Sequence, residues 1–120
     1  MSTPNKHLNK EELEDFRQKL DKNLQRTRAT IQELNDQLQN SSNRQDYIHN
    51  YGDTGSRTQE AERVAELLER EKKFATELEK ALARIENGTY GICEVTGDYI
   101  SKARLEAKPT ATTTIEAARG

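Results

Sequence analysis

The stretch LEDFRQKLDKNLQRTRATIQELNDQL, residues 13–38, decides the fold. Its inward-facing candidates are Leu13, Phe16, Leu20, Leu24, Thr27, Ile31, Leu34 and Leu38, separated by 3, 4, 4, 3, 4, 3 and 4 residues. A mean step of ~3.6 puts them in one seam along an α-helix, and every other face carries Lys, Arg, Glu, Asp, Gln or Asn. Just upstream, Asn9 and Glu12 have the spacing of a capping box. Leu8 and Leu13 have that of a hydrophobic staple closing around it. The pattern predicts a long amphipathic helix starting at Asn9.

Downstream the seam stops. Asn40-Ser41-Ser42-Asn43-Arg44-Gln45-Asp46 and Asn50-Tyr51-Gly52-Asp53-Thr54-Gly55-Ser56 are polar and turn-forming. Ser56 and Gln59 repeat the capping-box spacing. Apolar residues resume at Val64, Leu67/Leu68, Phe74/Ala75, Leu78, Leu82 and Ile85, with Glu71 interrupting, and Asn87-Gly88 reads as a helix terminator. The two seams match as an antiparallel pair whose facing residue numbers sum to 98. That register sets Leu13 against Ile85, Phe16 against Leu82, Leu20 against Leu78 and Leu24 against Phe74. It continues with Ile31 against Leu67 and Leu34 against Val64. Its midpoint, 49, falls in the polar stretch, which is independent support for a turn there. Each helix is ~26–30 residues, or roughly 40–45 Å. One continuous dimerising helix would instead carry two glycines and a polar gap inside a coiled coil. The expected architecture is mainly α: an N-terminal tail at 1–8, an antiparallel two-helix coiled-coil hairpin at 9–87 with its tip at 41–56, and a small C-terminal lobe and tail at 88–120.

Composition narrows the function. Of 120 residues only 32% are apolar and 33% are charged, with no Trp, whereas a compact globule carries ~45–50% apolar residues. Long solvated helices fit this balance; a water-excluding catalytic pocket does not. The 19 basic and 21 acidic residues, net charge −2, argue against phosphate-driven nucleic-acid binding. No apolar run approaches the ~18 residues of a membrane span. The opening Met1-Ser2-Thr3-Pro4-Asn5-Lys6 lacks a signal-peptide core, so the expected location is cytoplasmic. His7 in the tail and His49 in the turn read as solvated side chains. Phosphate-binding glycine loops and a nucleophile–base motif are both missing, and the expectation is a non-enzyme with no cofactor. The single cysteine, Cys93, precludes an internal disulfide or a multi-cysteine metal site within one chain.

From residue 89 the pattern changes. Tyr90, Ile92, Val95, Tyr99 and Ile100 form short β-prone runs punctuated by Gly91 and Gly97. Residues 101–108 suit a short helix stopped by Pro109, and residues 110–115 read as extended. The expected core of this lobe is Ile92, Val95, Tyr99, Ile100 and Leu105, leaning on the hairpin base near Leu13, Phe16, Leu82 and Ile85.

Within this block, Tyr90-Gly91-x-Cys93-x-x-Thr96-Gly97, Ile100, Arg104-Leu105-x-Ala107 and Pro109-x-Ala111 resemble the C-terminal zinc-finger region of the TraR/DksA family. These are bacterial DnaK-suppressor homologues that bind RNA polymerase, and they place a coiled-coil hairpin directly before the finger. The resemblance implies a transcription regulator that contacts RNA polymerase directly and reads no DNA sequence. It acts as a monomer, its hairpin tip entering the polymerase's secondary channel while the lobe docks at the rim.

Two departures qualify the resemblance. Cys93 holds the family's first ligand position, but Thr96, Thr114 and Ala117 stand where the other three cysteines would be. One thiol, two hydroxyls and a methyl cannot supply a tetrahedral zinc site. The expectation is a zinc-finger-like lobe lacking the metal, with Cys93 as a small buried apolar residue rather than a redox sensor. At the tip, the family's Asp-x-x-Asp-x-Ala falls on Asn50, Asp53 and Gly55, of which only Asp53 keeps the acidic group. Asn50-Tyr51-Gly52-Asp53 reads equally well as plain turn chemistry. These departures favour the alternative of a coiled-coil interaction or stress protein that kept the fold and lost the polymerase-regulating activity.

Overall fold

The capping box at Asn9 closes as its spacing predicts. The Asn9 side-chain oxygen accepts the Glu12 N–H at 2.8 Å, and the Glu12 carboxylate accepts the Asn9 N–H at 3.1 Å. Leu8 is buried beside this turn, as a staple requires. From here helix α1 runs Lys10–Ile48 and helix α2 runs Gly55–Asn87. These elements come from a computed structural model that describes residues 8–119 other than 49–54, and side chains outside 41–58.

The helices contribute to two compact units. One comprises Met1–Leu24 with Thr76–Gly120, the other Gln25–Ala75. In each, a stretch of α1 lies against a stretch of α2 running the opposite way. The first unit buries Phe16, Leu20 and Leu24 of α1 with Leu78 and Ala81 of α2. The second buries Thr27 and Leu34 with Leu68 and Ala75. There Leu34 lines an open groove of about 480 Å³ with Val64 and Leu67, in keeping with the register summing to 98.

On α2 the structure decides between the adjacent apolar residues that the sequence leaves open. Buried and half-buried positions include a run at 61, 64, 68, 71, 75, 78, 82 and 85, with steps of three and four as in a coiled-coil seam, and 65, 81 and 84 widen it. Leu67 and Phe74 lie one residue off this line, about 100° round the helix, and are 39% and 38% exposed. Of the two adjacent pairs, the buried members are Leu68 and Ala75, whereas Leu67 and Phe74, the residues expected against Ile31 and Leu24, are the more exposed ones. Glu71 sits half-buried in the same line.

Both helices also reach into the stretch expected as a turn. Residues 41–48 belong to α1 and residues 55–56 to α2. Asn, Ser, Arg, Gln and Asp each cost a helix at most ~0.7 kcal/mol relative to Ala. Extending an established helix needs no new nucleus, so polar residues without Gly or Pro do not stop it. The proposed Ser56–Gln59 cap turns on the Ser56 side chain, which lies outside the described residues.

Helix α2 ends at Gly88 (φ 80°), where Thr89 N–H donates to Arg84 C=O at 2.9 Å and Gly88 N–H to Ile85 C=O at 3.3 Å. This two-bond Schellman cap needs the left-handed conformation that glycine adopts freely. In the lobe, helix α3 (Lys102–Ala107) is capped by Ser101, whose hydroxyl accepts the Arg104 N–H at 3.2 Å. Helix α4 (Ile115–Arg119) follows Thr114, whose hydroxyl accepts the Ala117 N–H at 3.1 Å. That cap makes Ile115 helical, correcting the extended reading there. Among the described residues no helix is long and apolar enough to cross a membrane.

Leu20→Ala removes a fully buried side chain and is expected to cost about 2–5 kcal/mol of folding stability. Phe74→Ala, at a partly exposed position, is expected to cost less than half as much. Chemical denaturation of the two variants checks the corrected seam.

Candidate functional site

The lobe is built around Tyr90. Its ring lies 5.6 Å from Phe16 of α1, centroid to centroid, at 48°, and its hydroxyl donates to the Pro109 carbonyl at 2.8 Å. Burial pushes the Tyr90 phenol well above its ordinary range, so the hydroxyl stays a donor. Tyr90, Gly91, Cys93, Ile100, Leu105, Thr110 and Ala111 are the buried residues of the lobe. A Lys102–Glu12 ion pair joins α3 to the first turn of α1.

Three of the five expected core residues lie outside that core, Ile92 being half-buried. Val95 is 69% exposed and Tyr99 50%. Ile92 and Tyr99 form an isolated antiparallel bridge. In extended backbone, neighbouring side chains point to opposite faces, so full burial of Ile100 turns Tyr99 outward. Val95 occupies the tight turn 93–97, closed by Gly97 N–H donating to Cys93 C=O at 2.9 Å. Gly97 completes that turn at φ 77° in open space, so the backbone conformation, not crowding, calls for glycine.

The four positions matched to zinc ligands fare unequally. Cys93 is 1% exposed. The Thr96 hydroxyl accepts the Asp98 N–H at 3.2 Å, the Thr114 hydroxyl caps α4, and Ala117 has no donor atom. Among the described residues there is no cluster of three or more His, Cys, Asp or Glu. This donor set does not fit a tetrahedral zinc. Of the tip residues, Asn50 and Asp53 lie outside the described residues. Gly55 is the first residue of α2.

A second feature of this unit escapes a reading of the sequence. A polar cleft of about 270 Å³ is lined by Lys80 and Arg84 of α2, Arg104 of α3, Lys108 at its C-cap, and the chain at 110–113, with Glu77 and Glu94 at its walls. Arg104 is held there by its Nε, which donates to the Thr113 carbonyl at 2.8 Å. The signal is present as two cation pairs at i, i+4, an arrangement that costs a helix a few tenths of a kcal/mol. Four cations against two carboxylates suit an anionic group.

Cys93 is polar in its surroundings as well as buried. The Thr96 hydroxyl first, and then the N–H groups of Thr96, Thr114 and Val95, hold the thiol down to about 6 against the upward push of burial. A folded value below the unfolded one, near 9, favours the native state above pH 9. That contribution is lost as pH falls toward 6. Denaturation midpoints from pH 9 to 6 should therefore fall more steeply for this protein than for Cys93→Ala.

Comparison with known proteins agrees with this geometry. Residues 88–120 match the family described as the prokaryotic dksA/traR C4-type zinc finger. The RNA polymerase-binding transcription factor DksA of Caulobacter vibrioides is 36% identical over 116 residues, spanning 92% of this chain and 75% of that protein. Its Escherichia coli K12 namesake is 34% identical over 109 residues, 88% of this chain and 68% of the relative. The solved structure of transcription factor DksA2 from Pseudomonas aeruginosa superposes with a TM-score of 0.83 at 33% identity, covering 92% of this chain and 83% of that one. With a helical hairpin, a finger-like lobe and this likeness over most of its length, the chain belongs to the DksA family.

Proposed function

We propose that this protein is a transcription regulator that binds RNA polymerase directly. The observation that carries the reading is the likeness, in sequence and fold, to RNA polymerase-binding factors over about nine-tenths of the chain. The physical logic is that two paired helices form a support thin enough for a narrow channel. On this reading the tip around Asn50, Asp53 and Gly55 enters the polymerase's secondary channel, and the lobe docks at the rim. The cationic cleft gives the docked lobe a face for acidic groups. The protein works as a monomer in the cytoplasm. It regulates by occupying a site, turns over no substrate, and reads no DNA sequence, in keeping with its net charge of −2. Association with cognate core polymerase at micromolar concentration is the expected result of a pull-down; none at that concentration would sink the proposal.

The altered tip favours a second reading, in which the fold is kept and the regulatory activity lost. Asp53→Asn separates the two. If the carboxylate acts on the polymerase, the variant keeps its folding stability within about 0.5 kcal/mol, still binds polymerase, and loses its effect on transcription in vitro. If Asp53 only caps the turn, stability drops by about 1 kcal/mol and transcription shows no specific defect.

A further inference from the structure

The chain matches a zinc-finger family, yet its donor set does not fit zinc. A structural zinc joins the chain segments that ligate it, so another contact has to join the turn at 93–97 to the segment at 112–117. The stretch between α3 and α4 supplies it. This stretch is neither helix nor strand, so its carbonyls have no ladder partners and are met from elsewhere. Three of them are met, each by a different element. The Tyr90 hydroxyl, just past α2, donates to Pro109 C=O at 2.8 Å. The Glu94 N–H, inside the turn, donates to Thr112 C=O at 2.9 Å. Arg104 Nε, on α3, donates to Thr113 C=O at 2.8 Å. Between these points Thr110 and Ala111 are buried, and the Ala111 N–H closes onto Lys108 C=O at 2.9 Å.

We infer that this row of carbonyls is the fastener of a finger without metal, with Tyr90 and Arg104 as its side-chain donors and the Glu94 N–H as the bond that joins the two segments. Glu94 adjoins the first ligand position, and Thr112 lies just before the third, so their bond spans the gap that a zinc ion bridges in a complete site. A single backbone bond is modest on its own. This one is kept closed because the bonds at Pro109 and Thr113, on either side, pin the chain that carries its acceptor. Arg104 suits the task. Its Nε lies in a rigid planar guanidinium, so the bond fixes the direction of the group as well as its reach. It also works from an anchored helix: Leu105 beside it is fully buried, and the Ser101 hydroxyl accepts the Arg104 N–H at 3.2 Å. The inference concerns how the lobe is held and does not depend on the partner the protein binds.

The test uses the full chain and two variants. Arg104→Met keeps an apolar stem and removes the guanidinium; Tyr90→Phe keeps the ring and removes the hydroxyl. Neither change touches Glu94, so hydrogen exchange at the Glu94 amide reports whether the row opens as one. Each variant should speed that exchange about five- to tenfold, while the amides of Leu20 and Leu78 in the long helices keep their rates. Thermal unfolding is followed with chelator and with added zinc, and neither should move the melting temperature. Should Arg104→Met fail to fold, Tyr90→Phe still decides. Unchanged Glu94 exchange in either folded variant would overturn the inference, since the bonds would then be incidental to the packing of Ile100 and Leu105. Equal acceleration at Leu20 and Leu78 would also overturn it, as a mark of general destabilisation. So would a rise in melting temperature on adding zinc.

Discussion

Burial of Tyr90 is the interaction on which the lobe-bearing unit depends. It follows the left-handed Gly88 that ends α2, presents its ring to Phe16 of α1, and ties its hydroxyl to the backbone at Pro109. One side chain thus touches the first helix, follows directly on the second, and holds the chain leaving α3. Aromatic pairs of this geometry contribute ~0.5–1.5 kcal/mol beyond their area. The larger effect is positional: with ring and hydroxyl both satisfied, the chain beyond residue 88 has one way to fold back. The Glu12–Lys102 pair adds a polar tie between the same helices, worth little alone because both partners are partly solvated.

A pair of helices buries far less per residue than a globule, and the seam here is further diluted. Thr27 is buried in the second unit, and Glu71, half-buried, falls at the facing number. Polar residues in a coiled-coil seam lower stability but fix which positions may face each other. The first unit carries no such interruption: Leu20, Leu78 and Ala81 are fully buried there.

Much of this is legible in the sequence. Helical periodicity and the Asn9 box give the long helices, because a 3.6-residue repeat sustained over eight positions suits a helix and no strand. Ser101 and Pro109 bracket α3. Elsewhere local pattern gives way to tertiary detail. Adjacent apolar pairs at 67/68 and 74/75 do not reveal which member faces inward, since either fits one seam in isolation. Val95 and Tyr99 resemble core because β-prone residues usually are, yet a turn and an outward pleat expose them. The polar run at 41–48 resembles a turn, although nothing in it breaks a helix. The cationic cleft is illegible because Lys80 and Arg84 meet Arg104 and Lys108 only after the chain folds back. Cys93 reads as apolar from its type alone; its polar environment comes from Thr96, whose N–H donates to the sulfur once the turn closes.

The substitutions at the finger positions also make sense as a set. Several thiolates held close together repel one another, and a divalent cation is what makes their burial tolerable. Replacing cysteines in such a site removes donors the cation needs, and a sulfur left without the cation takes up a proton and becomes a neutral thiol. Such a sulfur is a weak acceptor that a backbone donor can satisfy, as the Thr96 N–H does for Cys93 Sγ at 3.5 Å. The same hydroxyls that disqualify the site for zinc are the groups that orient the turn and cap α4.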